Sequence, residues 1–306
     1  MAEEVIEPTF HKIVDGINGS EGPVFTKDGR FYCVAPEVVK GSPGAIFQVD
    51  LEKKTKTQLT VVEVDGNGGI PAGLQSDQEN NLWVADMRLG ILKVTLDGNI
   101  KQIAKVDDKG ETMQGCNDCI FDYEGNLWVT GPAGNIAPEP FRISDKEAFG
   151  SVYCLTTAGK VTKIATGFLF SNGLAVQNKD GKPYLLIVAE TKTQSLWAFD
   201  ITGPGQVSNK RLWGKLPASA SAEGGPDGMD FDEFGNLLVA NWGEGHLEVF
   251  GSNGGTPQTR IKLPFGKPSN VHFKQNSNIC YVTEHTNNAL WCFEWKHKGR
   301  KEYCDL

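Results

Sequence analysis

Apolar residues in this chain fall in short runs broken by Gly, Asn and Asp, a pattern of strands and tight turns rather than helices. One phrase recurs, a turn followed by an apolar run ending in a small residue: DGRFYCVAPE (28–37), ENNLWVADM (79–87), EGNLWVTGP (124–132), PYLLIVAET (183–191), FGNLLVANW (234–242) and SNICYVTEH (277–285). A strand-like phrase precedes each copy: EGPVFT (21–26), PAGLQSD (71–77), CNDCIFD (116–122), SNGLAVQ (171–177), PDGMDFD (226–232) and PSNVHFK (268–274). Another follows each copy, from AIFQVD (45–50) to ALWCFEW (289–295), and five repeats add a fourth, as in KTQLT (56–60) and QTRIKL (258–263). The sixth repeat runs out of chain, but FHKIVD (10–15) has the matching pattern. The expectation is all-β: a six-bladed β-propeller of four antiparallel strands per blade, a single domain over 1–306, with the N-terminal strand completing the last blade.

Registering the repeats turns scattered polar residues into rings. The first phrases align Glu21, Ala72, Asn117, Asn172, Asp227 and Ser269 at the propeller axis. Glu21, Asn117, Asn172 and Asp227 supply two carboxylates and two amide carbonyls from separate blades, a donor set suited to Ca²⁺ rather than to a soft metal. Turn chemistry also places Asn and Asp at strand starts, and Gly22, Gly73, Gly173 and Gly228 beside them support some turn role; Glu21 fits that reading worst. Three positions on, Asp230 and His272 come from adjacent blades, as an Asp–His clamp or a second cation site. A three-residue offset flips the face of a regular strand, so the first ring must sit in an irregular lead-in. Asp232 aligns with Asp77 and Asp122 at strand ends and reads as turn chemistry.

A third ring, just past the small residues, holds Glu37, Met87, Pro132, Thr191, Trp242 and His285. With Phe170, five of them (Glu37, Met87, Thr191, Trp242 and His285) are expected to wall a small-molecule pocket. His285 is a candidate general base by type, although a hydrogen-bonding role fits equally.

Composition narrows the classes. A net charge of −8 speaks against a nucleic-acid surface and is compatible with cation binding. The longest clean apolar run, Leu185 to Ala189, cannot span a bilayer. The acidic start, Met1 to Val5, has no leader-like apolar region, and seven cysteines show no framework spacing, so a reduced, cytoplasmic chain is expected. Cys116 and Cys119 have CxxC spacing without a second pair, a weak metal or redox signal. No Gly-x-Ser-x-Gly, phosphate-loop or HExxH motif is present.

The assembled motifs, among them EGPVF, GGIPAG, VADMRLG, MQGCNDC, FDYEGNLWVT, DGMDFDE, KPSNVHF and VTEH, resemble the squid-type diisopropyl fluorophosphatases, within the wider gluconolactonase and regucalcin-like superfamily. The resemblance runs end to end. It implies two Ca²⁺ ions in the central tunnel: a catalytic one held by Glu21, Asn117, Asn172 and Asp227, and a structural one held by Asp230, His272 and the carbonyl of Val271. It also implies hydrolysis of organophosphorus triesters and phosphorofluoridates, with either Asp227 or a calcium-activated water attacking phosphorus and His285 in support. The segment Pro138 to Lys146 departs from the family pattern, with Ile143 where an arginine is expected and Arg142 beside it; the stretch before Gly224 is longer. The alternatives are a calcium-dependent lactonase and a non-catalytic binding propeller. The expected partner is a small organophosphate or lactone, with no nucleic acid or membrane, on a monomeric protein.

Overall fold

The computed structural model describes residues 4–113, 115–133, 147–219 and 224–306. Five antiparallel sheets follow one another in chain order, over 21–61, 71–104, 119–168, 171–215 and 225–262. The sixth takes three strands from 268–294, and its outermost, His11–Val14, from the other end of the chain. This is a six-bladed propeller closed by its N-terminal strand.

One element departs from four strands per blade. Glu4–Ile6 adds a fifth strand to blade 5, parallel to Thr259–Lys262. Three residues without alternation carry no readable strand signal, so only the structure reveals it. The two ends of the N-terminal stretch therefore hold two neighbouring blades.

Six large apolar clusters hold the described residues together, each shared by two adjacent blades. Between blades 4 and 5, for example, Ile187 and Ala198 pack against Phe231, Val239 and Phe250. Because each blade is covered on both faces, middle strands such as Phe31–Ala35 and Leu127–Gly131 are buried at every position. They read as continuous apolar runs. The outer strand Thr55–Val61 has exposed and half-buried positions throughout.

The aligned aspartates lock the hairpins away from the pocket. Asp122 is fully buried and accepts hydrogen bonds from the Glu124 and Asn126 backbone N–H groups, the Asn126 amide and Trp128 Nε1, the last at 2.9 Å. Asp77 repeats this with Asn81 and Trp83, and Asp232 with Asn236 and with Trp295 of the next blade. Asp122→Ala strands several buried donors and is expected to cost about 3 kcal/mol, read as a lowered midpoint in urea unfolding. Among the described residues no helix is long and apolar enough to cross a membrane.

Candidate functional site

The innermost strands are irregular where the first ring begins. Their pairing register shifts between Glu21 and Val24, between Ser171 and Leu174, between Pro226 and Met229, and between Pro268 and Asn270. In blade 3 the regular strand starts only at Cys119, after Asn117. These bulges let residues three apart both meet the axis, which a flat strand forbids.

Glycines beside the ring let the blades approach one another. A Cβ on Gly173 would lie 2.1 Å from the Asp227 carbonyl oxygen, and one on Gly228 only 1.6 Å from Asn270 Oδ1. Gly73 meets Asp118 of blade 3 in the same way, at 2.7 Å. Of the four, only Gly22 has a positive φ (52°). None of the four lies in a turn: Gly22 sits at the register shift of Glu21–Phe25, where its positive φ favours glycine, and at all four a neighbouring backbone or side chain occupies the space.

Glu21, Asn117, Asn172 and Asp227 line one open cavity of about 760 Å³ with Glu37, Met87, Phe170, Thr191, Trp242 and His285. Asn18, Lys192 and Asn288 line it too, and had no repeat position to mark them; Pro132 does not. The segment 134–146 and residues 220–223 lie outside the described residues, and with them the departures at Pro138 to Lys146 and most of the stretch before Gly224. Asp230, Val271 and His272 line a second chamber on the axis, of about 20 Å³, with Asp118 and Asn270. That volume suits about one water or ion.

The open ring is short of positive charge. Burial pushes the Asp227 carboxyl well above the usual carboxylate range, and the charges of Glu21 and Asp118 push the same way. Asp118 is itself raised to about 7 by burial, although the N–H groups of Cys119 and Leu174 donate to it. Glu21 Oε2 accepts from Asn270 Nδ2 at 2.6 Å. Its Oε1 lies 3.1 Å from His285 Nε2, without the alignment of a hydrogen bond. His285 Nδ1 accepts from Trp242 Nε1 at 3.2 Å, so the neutral ring carries its proton on Nε2, toward Glu21. Asn172 Oδ1 is buried with no hydrogen-bond partner. Two carboxylates and an orphaned amide oxygen fit a hard cation, which would relieve both deficits. Among the described residues no three His, Cys, Asp or Glu side chains form a metal site by themselves, so this ring depends on its amides.

In the inner chamber, Asp230 accepts from the Phe231 and Phe273 N–H groups at 2.7 and 3.0 Å, and His272 Nδ1 stands 3.4 Å from its Oδ2. Burial lowers the His272 pKa, partly offset by Asp230, which favours the neutral, ligand-competent imidazole. Sequence reasoning missed Asp118 and Asn270. They occupy the column next to the first ring, otherwise Gly22, Gly73, Gly173 and Gly228; a carboxylate among glycines was the available signal.

A family model described as SMP-30/Gluconolactonase/LRE-like region matches residues 87–286. The chain belongs to this family. Within it, the chain is 56% identical over 305 residues to "Diisopropyl-fluorophosphatase" of Loligo vulgaris, covering 98% of this chain and 96% of that one. It is 23% identical to the gluconolactonase of Zymomonas mobilis, covering 79% and 69%. The solved structure of a calcium-binding regucalcin from Agrobacterium tumefaciens superposes with a TM-score of 0.76 at 18% identity, covering 98% of both chains, and shares the fold.

Proposed function

We propose that this family member is a calcium-dependent hydrolase of organophosphorus triesters and phosphorofluoridates, cleaving P–F bonds. One observation carries the reading. Four oxygen-bearing side chains converge on a pocket of about 760 Å³ in a chain 56% identical to a diisopropyl-fluorophosphatase. Glu21, Asn117, Asn172 and Asp227 would hold the catalytic Ca²⁺, and Asp230, His272 and the Val271 carbonyl a structural one. Bound at the ring, the cation would supply a Lewis acid for the phosphoryl oxygen.

The rest falls to the chain. Met87, Phe170 and Trp242 give the substrate apolar walls, while Glu37, Thr191 and His285 supply the polar ones. His285, held by Trp242, stands beside Glu21, whose Oε2 is held by Asn270. Asp227 is the candidate nucleophile: its oxygen bonds to phosphorus as fluoride leaves with the electron pair, and water then cleaves the phosphoenzyme. Direct attack by water is the competing route. In this reading residues 1–306 form one domain and the protein acts as a monomer.

Stripping divalent cations is expected to abolish fluoride release from a phosphorofluoridate, and adding calcium to restore it. Full activity after verified metal loss would refute the reading. The gluconolactonase relative, 23% identical, gives a lactonase reading family context. Sugar lactones assayed beside the organophosphates decide between them, and a much higher kcat/KM on a lactone would reassign the enzyme.

A further inference from the structure

We infer that Thr191 is a positioning residue that fixes which way round the Asn172 amide stands, and so sets the cation affinity of the open ring. The inference rests on the proposed cation site.

Thr191 is buried and held from several sides. Its backbone N–H donates to the Phe170 carbonyl at 3.0 Å. Its hydroxyl proton goes to the Pro226 carbonyl at 2.8 Å. A carbonyl only accepts, so that single proton is committed. Toward Asn172 the hydroxyl can therefore act only as an acceptor, and it takes a hydrogen bond from Nδ2 at 3.1 Å. Turning the amide over would set Oδ1 against an oxygen with no proton to give. The network thus admits one orientation, which the Asp227 carboxylate, accepting from the same amide, also favours, with Oδ1 left buried and unpartnered. A cation needs that oxygen; the opposite orientation would offer it an NH₂ group.

The brace extends on both sides. Glu190 accepts from Leu169 N–H at 2.7 Å, from Thr193 Oγ1 at 2.6 Å and from Trp197 Nε1 at 2.8 Å. It thereby secures the turn in which Phe170 takes a left-handed φ of 67°. Pro226, on the other side, immediately precedes Asp227. One hydroxyl so links the pocket wall of blade 4, the amide ligand on the same blade and the approach to the carboxylate ligand on blade 5.

The test is calcium titration of the metal-stripped, full-length protein by calorimetry. Thr191→Val keeps the volume and β-branching but accepts nothing, and should weaken the open-ring affinity about tenfold, the size typical of losing a partner behind a metal ligand. Thr191→Ser keeps the hydroxyl and should stay close to wild type. In an Asn172→Asp background, where either carboxylate oxygen can face the cation, Thr191→Val should lose most of its effect. Wild-type calcium affinity in Thr191→Val, or an equal loss in the Asn172→Asp background, would overturn the inference. If Asn172→Ala also leaves calcium affinity untouched, the ring itself is refuted and the inference falls with it. If Asn172→Ala weakens binding and Thr191→Val does not, only the role of Thr191 fails.

Discussion

Asp227→Asn is expected to lower P–F hydrolysis at saturating calcium by about a thousandfold or more, a barrier increase of about 4 kcal/mol. The substitution keeps the shape and one carbonyl oxygen but removes a charge from a ring that has only two carboxylates, Asp227 and Glu21. An amide is also no nucleophile toward phosphorus. The residue is 8% exposed, so solvent offers little compensation. Fluoride release, followed with an electrode on enzyme of verified calcium content, measures the effect. A rate within tenfold of wild type would remove Asp227 from the chemistry and leave it, at most, a dispensable ligand.

The second large effect concerns a residue with no side chain. Gly173→Ala puts a methyl group 2.1 Å from the Asp227 carbonyl oxygen and 3.0 Å from the Gly228 Cα. Both obstacles are backbone, so no rotamer change relieves them. Blades 4 and 5 must separate at the axis, which is expected to cost about 3 kcal/mol of stability. Because the displaced strand carries Asp227, activity should fall even at temperatures where the variant stays folded. Gly203→Ala is the control: its added methyl meets only the Gln206 side chain, at 3.7 Å. Thermal unfolding of both variants checks the contrast. A Gly173→Ala protein as stable and active as the control would mean that the axis is looser than its close contacts indicate.

The fold was legible because a propeller repeats its sentence. LWVAD, LWVTG and LLVAN recur at equivalent places, and the missing fourth strand of the last repeat could be matched to FHKIVD by pattern alone. The same registration collected the ring and pocket residues into columns. What escaped it depends on geometry rather than pattern. Bulges leave no fixed residue signature, so the meeting of Asp227 and Asp230 on one axis could only be assumed. Gly173 and Gly228 looked like turn residues, because close approach by a neighbouring blade is invisible along the chain. Asp118 was hidden inside a CxxC string that drew attention to its cysteines. Glu4–Ile6 became a strand only because blade 5 offers an edge to pair with.

The ring is closed by pairing His11–Val14 with Ala289–Glu294, and that sets an order of events during synthesis. Glu21 leaves the ribosome well before Asn270 and His285, which lie against it and follow it by 249 and 264 residues. Blades 1 to 5 can each pair their own strands as they emerge, but His11–Val14 must wait for Ala289–Glu294 before blade 6 is complete. The pocket is therefore completed only once blade 6 has been made. Until then the acidic residues of the axis remain open to water, and the nascent protein has blades without a closed pocket.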